Sequence, residues 1–175
     1  MNAHAPRTKT QYILGIDPGL SGGYAVIDGE GTFITCGAFP THVIKKSGKK
    51  STQLDGVALA DELDLYKGAL HAFIETVSSR PRQQGQFQFG VNVGMLHGML
   101  YAMRVPFTGV SPASWKMNFG IKRLENETKA QKKSEARAIA SKFYPKHADK
   151  FKRVKDDGVA EATLIALYGL STLII

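Results

Sequence analysis

The chain has 175 residues, enough for one domain with a full hydrophobic core. Its 43% hydrophobic content excludes a disordered chain, and no apolar run reaches the ~18 residues that cross a bilayer. A single cysteine, Cys36, excludes an internal disulfide and a cysteine-based zinc cage and fits a reducing cytosol, and the five histidines do not pair at metal-ligand spacing.

The net charge of +8 is localised. Residues 122–155 hold twelve Lys/Arg and four Asp/Glu, a net of +8, while the rest of the chain holds eleven of each sign. A clustered basic surface implies a polyanionic partner, nucleic acid before acidic membrane; a solvated helix face is the plainer reading.

Met1 to Thr10 is polar and basic without an apolar segment, so residues 1–11 read as a frayed end rather than a secretory signal, and 12–175 as one domain. Tyr12 to Asp17 is an apolar run ended by Pro18-Gly19, the pattern of a buried strand with Asp17 at its exposed end. That aspartate either forms an Asx-turn over Pro18-Gly19 or holds a cation. Tyr24–Ile27 and Thr32–Phe39 follow across short glycine turns and predict an antiparallel meander. Pro40 to Ser51, with Lys45, Lys46, Lys49 and Lys50, reads as a polar loop that either touches a phosphate backbone or is simply mobile.

Leu54, Val57, Ala58, Ala60, Leu63 and Leu65 recur near helical spacing and predict a helix over 53–67. His71 to Glu75 is a short buried strand ending in a second carboxylate. The intervening helix makes it parallel to the first strand, so Asp17 and Glu75 emerge at the same carboxyl edge of the sheet, where open α/β sheets place ligands. Thr76 to Gly90 reads as a surface loop in which Arg80 and Arg82 suit phosphate contacts or are ordinary surface charge.

Phe89 to Met103 predicts an apolar helix with Gly90, Gly94 and Gly98 on one stripe, which close approach to the sheet or to another helix would explain. Val105–Val110 is a fifth strand, and Ser111-Pro112 caps a short helix through Trp115-Lys116. Asn126 to Phe143 is a basic helix with Ala130, Ala136, Ile139, Ala140 and Phe143 inward and Lys129, Lys132, Lys133 and Arg137 outward. His147 to Lys155 reads as a basic loop. The last helix, from Asp156-Asp157, is apolar after Glu161 and therefore buried.

Asp157 and Glu161 stand four apart, on the same helical face, although acids in a first turn also cap and suit the dipole. Four converging carboxylates repel unless cations intervene, and oxygen-only ligands select hard ions such as Mg²⁺ or Mn²⁺.

Leu14-Gly15-Ile16-Asp17-Pro18-Gly19, Ile74-Glu75 with Val77, and Asp157-Gly158-Val159-Ala160-Glu161-Ala162 before Leu164–Leu167 resemble, in order and spacing, the RuvC-type Holliday-junction resolvases of the RNase H-like nuclease superfamily. The resemblance spans roughly residues 12–170. It implies an α/β fold with a five-stranded mixed sheet, three antiparallel strands then two parallel, flanked by helices. It also implies a homodimer acting on branched DNA in the cytoplasm of a bacterium or phage-infected host, with two Mg²⁺ ions for which Mn²⁺ substitutes. Asp17 and Glu75 match the first two acids of the family. Many members carry two aspartates three apart where this chain has Asp157 and Glu161, as in a phage and related bacterial branch, so Asp156 competes with Asp157 as ligand; the shared face with Glu161 favours Asp157. Lys116, Lys132 and Lys133 suit neutralisation of phosphate charge, and the glycine stripe lies where such dimers pair.

Three other readings compete. An actin-like ATPase or sugar kinase also opens on a strand, an Asp and a glycine turn, but needs two such halves, and this chain has one. A catalytically silent DNA-binding protein would lack at least one acid, and all four are present. Cleavage of RNA–DNA hybrids, flaps or other branches by the same machinery stays open.

Overall fold

The computed structural model describes residues 12–46, 48–76, 86–121 and 129–173. Five strands, β1 (Tyr12–Asp17), β2 (Gly23–Asp28), β3 (Phe33–Ala38), β6 (Leu70–Glu75) and β7 (Phe107–Val110), form one sheet in the order β3-β2-β1-β6-β7. β1, β2 and β3 are antiparallel neighbours, as their short turns predict; β6 runs parallel to β1, as the helix between them predicts, and β7 runs parallel to β6, as the resemblance implies.

Side chains alternate across the sheet. Leu14 and Ile16 of β1 and Ala72 and Ile74 of β6 enter one core, closed by α1 (Gly56–Leu63) and α2 (Gln86–Ala102). Ile13 and Phe73 enter the other, closed by α3 (Pro112–Asn118), α4 (Lys129–Phe143) and α5 (Asp157–Leu173). The period of two therefore puts Gly15, Asp17 and Glu75 on the α5 side of the sheet. The short α3 begins where Ser111 accepts the Ser114 N–H at 3.1 Å, with Pro112 in the first turn, as expected from the sequence.

α5 rests directly on β1 and β2. A methyl group at Gly15 would collide with the Ala162 carbonyl oxygen and lie 2.5 Å from the Ala166 nitrogen, so only glycine admits the helix at this depth. A Cβ at Gly158 would likewise run into the Gly22 backbone, 2.6 Å from its carbonyl carbon. The two glycines bring the first turns of α5 down onto the edge where Asp17 emerges.

Several expectations are corrected. Of residues 40–51, read as a polar loop, 41–46 and 49–51 are strand: β4 (Thr41–Lys46) and β5 (Lys49–Leu54) form a second, two-stranded sheet. Thr41, Val43, Ile44 and Thr52 favour extended backbone, and Gly48 at φ +76° sits in the turn between the strands. The helix expected over 53–67 starts only at Gly56, capped by Asp55, whose Oδ1 accepts the Ala58 N–H at 3.1 Å. It gives way to a 3₁₀ segment, Asp64–Ala69, whose tighter winding leaves Leu65 at 87% exposure. α2 begins at Gln86, before the expected Phe89. Residues 147–155, read as a basic loop, lie instead largely in two 3₁₀ segments, Pro145–Phe151 and Val154–Asp156, because Phe151 is fully buried under α4 and α5. Phe143, assigned to the inner face of α4, is half exposed.

The glycine stripe of α2 is not explained by packing against the described residues of the chain. A Cβ at Gly90, Gly94 or Gly98 meets nothing within 4 Å among the described residues.

Candidate active site

Asp17 ends β1 and Glu75 ends the adjacent parallel strand β6, so the two carboxylates leave the sheet side by side. Glu161 reaches them from the second turn of α5. One carboxylate oxygen from each of Asp17, Glu75 and Glu161 lies within 4.8 Å of the others. All three residues are half-buried.

This is an expensive arrangement of like charges. Burial first, then the charges of Glu161 and Glu75, push the Asp17 carboxyl up to about 7. The Gly19 N–H, 3.5 Å from Asp17 Oδ1, and the Lys116 ammonium oppose the shift without cancelling it. Asp17 therefore makes the Asx-turn contact and stands in the acidic cluster at once. Three oxygen donors at this spacing, half-buried and mutually repelling, suit a hard divalent cation and no soft one.

Glu75 is fixed by a partner that the sequence reading passed over. Trp115, the single tryptophan and fully buried, donates its indole N–H to Glu75 Oε1 at 2.8 Å. The only sequence signal was its place four residues into a capped helix that follows β7. Lys116, next on α3, lies with Nζ 4.8 Å from the Trp115 ring centroid and close enough to Asp17 to lower its pKa.

The fourth expected acid stands apart from the cluster. Asp157 is buried and its Oδ1 lies 2.8 Å from Arg137 Nε. Asp156, the other candidate, is turned toward Arg153, accepting its backbone N–H at 2.9 Å and its Nη2 at 2.9 Å. Burial raises the Asp156 carboxyl, but the Arg153 hydrogen bonds prevail and hold it below the usual carboxylate range.

Arg137, expected outward against DNA, is instead mostly internal at 17% side-chain exposure, and its Nη1 donates to the Lys152 carbonyl at 3.0 Å. It braces α4 against the start of α5. Arg80 and Arg82 lie outside the described residues. Lys129, Lys132 and Lys133 belong to the first turns of α4, and their side chains are likewise outside what is described.

No family model matches the chain, and no curated protein sequence matches it. Solved structures do. A Thermus thermophilus RuvC in complex with a Holliday junction substrate superposes with a TM-score of 0.55 at 12% identity, covering 93% of this chain and 96% of that one. A second Thermus thermophilus RuvC structure gives 0.52 at 14% identity, over 92% and 96%. The chain thus has the RNase H-like fold that its three motifs imply. Among the described residues no helix is long and apolar enough to cross a membrane.

Proposed function

We propose that this protein is a divalent-metal-dependent endodeoxyribonuclease that cuts four-way and other branched DNA junctions by phosphodiester hydrolysis. The convergence of Asp17, Glu75 and Glu161 at one sheet edge of a RuvC-like fold carries this reading. Those three residues would hold the metal, with Asp157 as a fourth carboxylate one helical turn away once it parts from Arg137. Two Mg²⁺ ions, or Mn²⁺ in their place, would supply an activated water and stabilise the departing 3′-oxygen.

The chain's own groups prepare the site. Trp115 fixes the rotamer of Glu75, and the Gly19 N–H orients Asp17. Lys116 offers positive charge beside the carboxylates, where a phosphate would arrive. Arg80, Arg82, Lys129, Lys132 and Lys133 would meet the phosphates of the polyanion, in line with the concentration of positive charge in 122–155. A homodimer would present two such sites to the two strands of a junction. Support for it lies on α2, where Gly90, Gly94 and Gly98 are exposed together with Phe87, Val91 and Tyr101.

The test is cleavage of a synthetic four-way junction beside an RNA–DNA hybrid and a linear duplex, in Mg²⁺ and in EDTA. Cutting of the junction alone, lost in EDTA, is expected. Preferential cutting of the hybrid would replace the substrate, and cutting that persists in EDTA would overturn the mechanism.

Trp115→Phe keeps an aromatic ring in the core and removes the donor. Loss of such an outer hydrogen bond typically weakens metal binding or activity about 10–100-fold. The Mn²⁺ concentration giving half-maximal cleavage is expected to rise by about that factor, and calorimetric Mn²⁺ titration of the variant checks it without DNA.

A further inference from the structure

The β4–β5 ribbon is a lysine-tipped arm built next to the acidic edge. β3 ends at Ala38, which pairs with Gly23, which pairs with Asp17. The ribbon therefore roots on the carboxylate edge, two strands from Asp17, about 10 Å at the usual strand spacing. Its base is fixed. Phe39 and Leu54 are buried, and the Asp55 N–H donates to the Pro40 carbonyl at 2.8 Å. Beyond the base, residues 41–45 and 50–52 are exposed. Six residues of strand extend roughly 20 Å, enough to pass several phosphates of a duplex.

The charge at the far end is the informative feature. Residues 41–54 include four lysines and no acid. In the register, Lys45 stands opposite Lys50 and Lys46 opposite Lys49, so two successive cross-strand pairs are like-charged. Directly opposed like charges destabilise a hairpin, and a two-stranded ribbon has little stability to spare. A polyanion lying along the ribbon removes that repulsion. Lysines also protect exposed strand edges from pairing with other chains, and Val43 at 60% exposure gives them something to protect. Edge protection, however, needs scattered charges, not facing pairs at the tip of an arm rooted on the carboxylate edge.

We infer that the β4–β5 ribbon is a DNA-binding arm, which grips the phosphate backbone of a duplex arm leaving the active site through Lys45 and Lys50. This rests on the nuclease reading above and adds a contact outside the 122–155 basic segment. The contact is to phosphates, so it reads no sequence.

The test uses the full chain and a synthetic four-way junction with Ca²⁺ replacing Mg²⁺, measuring Kd across a KCl series for wild type, Lys45→Thr/Lys50→Thr and Lys45→Arg/Lys50→Arg. Each lost phosphate contact removes about 0.9 from the slope of log K against log salt. The threonine variant is expected to bind with a slope shallower by about 2 and, at 0.1 M KCl, with affinity lower by between roughly ten and a hundredfold. The arginine variant should keep both, and the melting temperature of the threonine variant should be equal to or above that of wild type, since its facing charges are gone. Unchanged slope and affinity in the threonine variant would overturn the arm and leave the nuclease reading standing, as would weakened binding to anionic phosphatidylserine vesicles with junction affinity intact. Wild type that binds no junction would strike the nuclease reading itself, and the arm with it.

Discussion

Asp17→Asn is expected to abolish metal-dependent cutting and, in the same protein, to raise the stability of the metal-free fold at pH 8. The two effects have one cause. Without cations, Asp17 shares its corner with Glu75 and Glu161, and burial and those charges hold its carboxyl at about 7, against 3.8 in an unfolded chain. A carboxyl raised on folding binds its proton more tightly in the native state. Its contribution favours the fold at low pH and is lost as pH rises from about 4 through about 7. Above that the ionised aspartate is a standing cost, with an upper limit of roughly 4 kcal/mol at 1.36 kcal/mol per pKa unit. Asparagine keeps an oxygen for the Gly19 N–H and carries no charge. A gain of about 2 kcal/mol at pH 8, some 4–8 °C in melting temperature, is the expected result, shrinking toward zero at pH 4. Millimolar Mn²⁺ should reverse the order, since only wild type gains from binding it. Metal ions contribute several kcal/mol to phosphodiester hydrolysis, so the loss in cutting rate should be on the order of 10³-fold or more. A variant that cuts normally, or one that melts lower at pH 8, would contradict this account of the site.

Gly15→Ala carries the largest structural penalty. The added methyl meets the Ala162 carbonyl oxygen and the Ala166 nitrogen, both main-chain atoms of α5, with no flexible side chain to give way. The strand is central and the helix is buried, so strain can be relieved only by lifting α5 off the sheet. Overpacking a core commonly costs 1–3 kcal/mol, and a clash between two backbones belongs at the top of that range or beyond it. A fall of about 3 kcal/mol, near 10 °C for a domain of this size, is expected in thermal melts. Because Glu161 travels with α5, cutting should fall further than stability does when both are measured at a temperature where the variant is folded. A variant with wild-type melting would mean that α5 does not sit at this depth.

The parts of the fold that were legible in the sequence are those with local signals. Asp17 and Glu75 each close an apolar run, and the helix between them makes their strands parallel, so their common edge follows from topology alone. Ser111-Pro112 announced α3, and the unbroken apolar character after Glu161 announced a buried α5. The ribbon was hidden because lysine content masked a strand pattern of Thr, Val and Ile. The 3₁₀ segments before α5 are fixed by Phe151 entering a core formed by distant helices, which no local pattern reveals. The helical wheel correctly put Asp157 and Glu161 on one side, yet it had no means of knowing that α4 delivers Arg137 to within 2.8 Å of Asp157. Trp115 as the anchor of Glu75 is likewise a contact across forty residues of chain.

The most direct measurement is the anomalous signal of crystals soaked in MnCl₂. Manganese density is expected among the carboxylate oxygens of Asp17, Glu75 and Glu161, and none is expected there in Asp17→Asn crystals. An ordered wild-type pocket with no manganese peak between those three side chains would contradict it.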